Sequence, residues 1–290
     1  MKQSIKLITT GAAICIALAS CGRGDKGGSS ININGSDTML QVGLAWAEAY
    51  KTVKPDVGVT VNGEGSGTGI KGLINGTIGM AHSSREIKDS EAATIKEKYG
   101  KDPVAHIVGY DGIAIFIHKD NPVKSLSLPQ LQAIWGEGGN IENWNQVGGL
   151  DAEIQRAGRS NSSGTYAFFK KTVVGKTADG KGIEFKQGTG SMPGSTAVVE
   201  FCQTTLTAIG YSGMSYKTDA VGWLSVSKED GSQAYEPSIE NVASGNYPVA
   251  RPLYIYTVGE PSGEVKEYID WIKDGGQEAL QNEGFVPLAK

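Results

Sequence analysis

Apolar and polar positions change period along this chain at short, regular intervals. Ile31 and Ile33 alternate with polar residues as in a half-buried strand. From about Met39 the apolar residues move to helical spacing (Val42, Trp46, Ala49, Tyr50, Val53) until Pro55 helps end the run. Val57, Val59 and Val61 return to period two, a helix is predicted around Ile70–Asn75, and Ile78–Ala81 reads as a third strand. Ser90–Tyr99 is predicted as a helix capped by Ser90 and stopped at Gly100, followed by two strands, Val104–Val108 and Ile113–His118. Beyond the Asn121-Pro122 break come helix Pro129–Trp135, strand Glu153–Ala157, a helix through Tyr166–Val173, helix Ser195–Thr205 and strand Ala208–Tyr211. Gly175–Gly194 reads as a polar surface excursion and Leu224–Asn246 as irregular. Leu253–Thr257 is a predicted strand, Gly263–Lys273 an amphipathic helix, and Val286–Leu288 a last short strand. Alternating helices and strands predict α/β layers around a largely parallel sheet.

Four of the predicted strand-to-helix junctions are built from small, hydroxylic or glycine residues: GSDTML at 35–40, GEGSGTG at 63–69, SSR at 83–85 and RSNSSGT at 159–165. Helix N-termini offer unpaired N–H groups and a positive dipole end, and glycine lets an anion approach the backbone. Arg85 and Arg159 add forked, permanently charged donors. Such a set suits capture of a compact oxyanion. The glycine-rich loop at 63–69 lacks the lysine and hydroxyl of a nucleotide-gripping phosphate loop.

Composition narrows the field. The formal charge of −4 comes without a basic stripe, which excludes nucleic acid as a partner and leaves any anion to local groups. His82, His106 and His118 have no metal-ligand spacing, so neither a metal nor a cofactor is expected. Lys2 and Lys6 precede an apolar run, Leu7–Ala19, too short to span a bilayer. The run ends in Leu18-Ala19-Ser20-Cys21, which resembles the bacterial lipobox; 1–20 is then a lipoprotein signal peptide, Cys21 the lipidated N-terminus, and 21–30 a flexible tether. Of the three cysteines only Cys202 would remain with a free thiol in the mature body, on an amphipathic helix and read as a buried small hydrophobe.

Motifs over residues 31–290 resemble, in order, the blocks of the PstS-type phosphate-binding lipoproteins of ABC phosphate importers: GSDTML, GSGTGI, SSREI, VGYDGIAIFIH, LPQLQAIWGE, SSGT, AIGYSG and YPVARPLYIYT. The resemblance implies a two-lobed periplasmic-binding-protein fold, each lobe a mostly parallel sheet flanked by helices, joined by two crossing strands near Gly112–His118 and Arg251–Tyr256. Lobe one would take 31–115 and 253–290, lobe two 116–252. It further implies a monomer that binds inorganic phosphate between the lobes, delivers it to an ABC permease in the inner membrane, and does no chemistry on it. The protein would sit in the cell envelope, lipid-anchored, in the periplasm or outside the cell.

Carried onto this sequence, the resemblance points to Ser36, Thr38, Ser66, Ser84, Arg159, Ser163, Gly164 and Thr165 as phosphate ligands. Ser36, Asp37 or Thr38 could instead cap their own helix. Arg85 is expected either on the anion or paired with Glu86. Two departures matter. Well-known family members carry an aspartate where Ser84 falls, a carboxylate that accepts the proton of phosphate and so rejects sulfate. They commonly carry another aspartate, paired with the arginine, where Asn161 falls. Asp37 and Asp111 are the candidate replacements, with a cap and a turn former as the plainer roles. Competing functions are a binder of another oxyanion, a phosphate sensor, and a phosphatase; the last lacks a base beside Ser163.

Overall fold

A computed structural model describes residues 29–289. The signal-peptide stretch and Cys21 lie outside the described residues. In chain order the first part holds β1 (Ser29–Gly35), α1 (Leu40–Val53), β2 (Val57–Gly63), α2 (Ser66–Asn75), β3 (Met80–Ser83), α3 (Asp89–Tyr99) and β4 (Pro103–His118). Then follow β5 (Ser125–Ser127), α4 (Leu128–Trp135), β6 (Gln155–Arg159), α5 (Gly164–Phe169), β7 (Gly190–Met192), α6 (Ser195–Thr204), β8 (Ala208–Gly213), β9 (Val221–Ser227), β10 (Ala234–Tyr235) and α7 (Ile239–Ala243). The chain closes with β11 (Ala250–Val258), α8 (Gly263–Lys273) and α9 (Gln277–Asn282).

The strand path β2-β1-β3-β11-β4-β8-β6-β7 passes through two sheets that share β4. Residues Pro103–Gly112 of β4 pair antiparallel with β11, and Ile113–Ile117 pair antiparallel with β8. β9 lies on the far half of β4 and carries β5 and β10. Each sheet has its own core. One gathers Ile33, Val42, Trp46, Val108, Ile255 and Ile269; the other Phe116, Trp135, Trp144, Phe169, Val198 and Leu224. A third cluster, Leu73, Ala81, Ile95, Tyr254 and Tyr256, also packs on the first sheet, and separate cores on the two halves of β4 make a two-lobed α/β fold.

Within each lobe the central strands run parallel: β1 with β2 and β3, β6 with β7 and β8. Their C-terminal ends therefore face the same way, and the polar loops leave from those ends, the usual ligand edge of such sheets. Gly35 shows why a glycine begins the first loop. Its φ is +147°, and a Cβ there would lie 2.0 Å from the His82 carbonyl oxygen, which accepts the Ser36 N–H at 2.8 Å.

Several expectations need correction. The two strands expected at 104–108 and 113–118 are one, because Gly109–Gly112 stay extended against β11. Ser90 does not cap α3: the cap is Lys88, whose N–H donates to Glu91 at 2.9 Å, and Ser90 lies inside the helix. The stretch 224–246 is structured: Leu224 and Val226 fill the core from β9, and α7 follows with Ser238 as its cap. The final strand reduces to a single bridge between Val286 and Tyr110, and α9, unforeseen, precedes it. Ser29 and Ser30, expected in the tether, already belong to β1.

His82 and Cys202 are both core groups. Burial pushes the Cys202 thiol up to about 12. His82 is 1 % exposed, its ring edge-on to Trp46 at 5.9 Å, with no partner for either ring nitrogen. Burial drives its pKa down to about 3, so it stays neutral in the fold while an unfolded histidine takes up a proton below its ordinary 6.5. Stability linked to His82 is thus present above pH 6.5 and is lost as pH falls from there towards 3. Between pH 7.5 and 5 wild type should lose about 2 kcal/mol more than His82→Phe, read from urea unfolding at the two pH values. Equal losses would remove this role for His82.

Candidate functional site

The four loops meet between the lobes, and their hydroxyls bond one another. Ser36 Oγ donates to Ser84 Oγ at 2.8 Å, and Ser66 Oγ lies 3.4 Å from Ser84 Oγ while accepting the Ser84 N–H at 3.1 Å. Thr38 Oγ1 and Thr165 Oγ1 are 2.9 Å apart, one from each lobe. Ser36, Thr38, Ser66, Ser84, Ser163 and Thr165 are each 3 % exposed or less. Neither Ser36 nor Thr38 caps its own helix; Ser36 precedes a short 3-10 turn, Asp37–Met39, and its hydroxyl is spent across the site. Ser163 does cap α5, accepting from the Thr165 and Tyr166 N–H groups at 3.1 and 3.3 Å. Gly164 is packed closely enough that a Cβ there would lie 2.3 Å from Ser66 Oγ and 2.6 Å from Ser84 Oγ.

The guanidinium that reaches this cluster belongs to Arg251, which was not among the expected ligands. Its Nη2 contacts Thr165 Oγ1 at 2.9 Å and Thr38 Oγ1 at 3.2 Å, and its Nη1 donates to the Ser84 carbonyl at 2.8 Å. Asp111 holds it: Oδ2 accepts from Nη2 at 2.8 Å and from Nε at 3.1 Å. The two residues are direct cross-strand partners on β11 and β4, and neither side chain is more than 1 % exposed. The sequence did carry a signal, a lone arginine and a lone aspartate in two mostly apolar strands, but not that they face each other. Asp111 Oδ1 has no hydrogen-bond partner of ordinary geometry. Burial raises the Asp111 carboxyl, against the pull of Arg251 and the Met214 backbone. Burial lowers the Arg251 pKa, Asp111 opposes this, and nearby Arg159 adds to the lowering.

The other two arginines are placed differently. Arg159 Nη2 bonds Asp37 at 2.8 Å, and its Nη1 reaches Ser195 and Ser212 at 2.9 and 3.4 Å, while its Nε is buried without a partner. Asp37 thus supplies the carboxylate that Asn161 cannot. Arg85 is tied to neither the hydroxyls nor Glu86's side chain: its two Nη groups grip Glu91 at 2.7 and 2.8 Å. Burial raises the Glu91 carboxyl, but Arg85 and the Lys88 N–H overcome this and hold it low. Arg85 instead borders a cleft of about 580 Å³ beside the cluster, together with Lys88, Phe168, Lys171, Arg251 and Tyr254. Arg251 lies over the Phe168 ring at 5.6 Å, and Glu86 pairs with Lys171 at 3.0 Å.

The arrangement can hold a small anion with hydroxyls, a helix N-terminus and two aspartate-balanced guanidinium groups. No histidine side chain bonds any of these hydroxyls, and no cluster of three or more His, Cys, Asp or Glu among the described residues is placed to hold a metal.

Residues 22–274 match the family model of the PBP superfamily domain. The chain is 32 % identical over 292 residues to the phosphate-binding protein PstS of Pseudomonas aeruginosa, covering 96 % of this chain and 88 % of that one. It is 31 % identical over 304 residues to the Bacillus subtilis phosphate-binding protein PstS, covering 99 % and 95 %. The chain belongs to the PstS-type family of the PBP superfamily. Among solved structures, a phosphate ABC transporter substrate-binding protein with bound phosphate, from Clostridium perfringens, is 34 % identical with a TM-score of 0.79, covering 90 % of this chain and 100 % of that one. An ABC-type phosphate transport receptor from Vibrio cholerae is 26 % identical with a TM-score of 0.70, at the same coverage.

The ion pair at the centre of this PstS-type chain gives a direct test. Arg251→Met leaves Asp111 buried and unpaired, and should cost about 3–5 kcal/mol in urea unfolding. Arg251→Met with Asp111→Leu should recover most of that loss, because the buried charge is gone. A double variant as unstable as the single one would contradict the pairing.

Proposed function

We propose that this chain binds inorganic phosphate between its two lobes and delivers it to an ABC-type permease. The observation that carries the reading is the buried cluster of hydroxyls contributed by both lobes and tied together by Arg251. Ser36, Thr38, Ser66, Ser84, Ser163, Gly164 and Thr165 would surround the ion at the α5 N-terminus, with Arg251 as the main cation and Arg159 behind it. Arg85 would serve the cleft mouth. Asp111, with one free buried oxygen, is the better placed acceptor for the proton of phosphate. Both oxygens of its carboxyl and Thr38 Cγ2 lie within 3.3 Å of one point, the place a Gly213 Cβ would take. Relatives described as phosphate-binding or phosphate-transport proteins support the ligand.

The hinge of such a device would lie where β4 changes sheets, between Gly112 and Ile113, and beside Val249, where the chain enters β11. That is close to a division into 31–115 with 253–290, and 116–252. A lipid on Cys21 would hold the protein at a membrane, on the periplasmic or outer side. No helix among the described residues is long and apolar enough to cross one.

Calorimetric titration of the chain from Gly22 onward tests the reading. Phosphate and arsenate, alike in shape and protonation, should both bind. Sulfate should bind roughly 100-fold more weakly, since it leaves a buried charged acceptor unpaired. Asp111→Asn should narrow that gap. Absence of phosphate binding would overturn the function, and equal affinity for sulfate would overturn the specificity.

Gly164→Ala provides a second, independent test. The three atoms nearest the added methyl, Ser66 Oγ, Ser84 Oγ and Ser66 Cβ, all belong to the facing lobe, so it should hinder closure without unfolding either lobe. Phosphate affinity should fall by roughly ten- to a hundred-fold while the thermal midpoint stays put. Unchanged affinity would mean that the ion does not need this close approach.

A further inference from the structure

The buried hydroxyl cluster poses a problem of access. With every member 3 % exposed or less, an ion can enter only if the lobes part. What holds them together in this structure is unevenly distributed. The Gly67 N–H donates to the Ser162 carbonyl at 2.9 Å, and Thr38 meets Thr165 at 2.9 Å. Arg251 also meets Thr165 at 2.9 Å and Lys171 pairs with Glu86 at 3.0 Å, but three bonds converge on one residue, Asp37.

Asp37 follows β1 in the first lobe, and all three of its partners belong to the second. Its Oδ2 accepts from Arg159 Nη2 at 2.8 Å and from the Ser195 N–H at 2.7 Å; its backbone carbonyl accepts the Tyr216 hydroxyl at 2.7 Å. Ser195 is the first residue of α6, whose own N-cap, Gly194, has no side chain to offer. The missing cap is supplied from across the cleft. Gly194 also makes room for it, since a Cβ there would lie 3.0 Å from Asp37 Oδ1. Opening the cleft would therefore do two unfavourable things at once. It would leave α6 without a side-chain cap, and it would separate Arg159 from the one carboxylate it pairs with among the described residues.

We infer that Asp37 is a closing latch, a positioning residue that stabilises the closed state through the α6 N-terminus and Arg159 rather than by touching the bound ion. This rests on the phosphate-binding reading for its effect on affinity, but not for its effect on the closing of the lobes. A latch of this kind biases the open–closed equilibrium, and ligand affinity rises with the fraction of closed chain. Because the latch acts on closure, it strengthens every anion the cleft accepts by the same factor. A ligand group would instead favour one anion over another.

The test uses Asp37→Asn in the chain from Gly22 onward, with spin labels on cysteines placed at the exposed Lys51 and Lys228. Without ligand, the distance distribution should show a closed population in wild type that shrinks in the variant, and saturating phosphate should close both. Phosphate and arsenate affinities should each fall by about tenfold, the weight of one cap and one charge-assisted bond, through faster release. The phosphate-to-sulfate ratio should not change. An unchanged ligand-free distribution, or a changed ratio, would overturn the latch. Tyr216→Phe removes one bond to the same residue and should shift the distribution the same way by less, which keeps the test available if Asp37→Asn fails to fold. Failure of wild type to bind phosphate would count against the functional reading alone, because the ligand-free distances are read independently.

Discussion

The buried pair of Asp111 and Arg251 is the constraint around which this molecule is arranged. A buried ion pair is weak evidence for stability in itself, since desolvation consumes most of the attraction. Its value here is geometric. The two residues sit opposite each other on β11 and β4, within two residues of the point where β4 passes from one sheet to the other. Asp111 takes the Nε edge of the guanidinium, which leaves the remaining donors to Ser84, Thr38 and Thr165. One side chain thus joins a loop after β1, a loop after β3 and the N-terminus of α5.

The same pair settles how an acidic chain can hold an anion. With a formal charge of −4, no long-range positive field assists. Each central arginine is balanced by an aspartate, Arg251 by Asp111 and Arg159 by Asp37. The cluster is therefore rich in oriented donors without a large net charge. Hydroxyls, backbone N–H groups and a helix end are fixed dipoles, cheaper to keep buried and closed than bare cations would be. Arg85, paired with Glu91 at the edge of the cleft, follows the same rule.

The four loops were legible in the sequence because their chemistry is local: small residues and hydroxyls at strand ends advertise themselves within a few positions. The alternation of period likewise located β1, α1, β2, α6 and α8 to within a few residues. What escaped was partnership. Arg85 stands next to Glu86, yet it is Glu91, six residues on in the first turn of α3, that takes both ends of its guanidinium. Arg251 lies 140 residues from Asp111 and is fixed to it only by sheet register. The strand at Val221–Ser227 was hidden for a related reason: it is bound by β4, and its serines and glycine mask the period that its buried Leu224 and Val226 would otherwise show.

The hydroxyls carry the last step. Each can both donate and accept, so the cluster satisfies itself when the lobes close: Ser36 with Ser84, Thr38 with Thr165. Closing without an ion therefore leaves few unpaired polar groups, in contrast to a site lined by acceptors alone or donors alone. An entering ion gains only the difference between its own bonds and those it displaces. Affinity in such a site is then governed less by the number of contacts than by three asymmetries. The ion brings charge that hydroxyl pairs lack, Arg251 can meet that charge while still bonded to Asp111, and Asp111 Oδ1 is a buried acceptor without a hydrogen-bond partner. A free acceptor buried beside saturated donors discriminates between anions by their protons, which is why selectivity and affinity can reside in different residues of one small cleft.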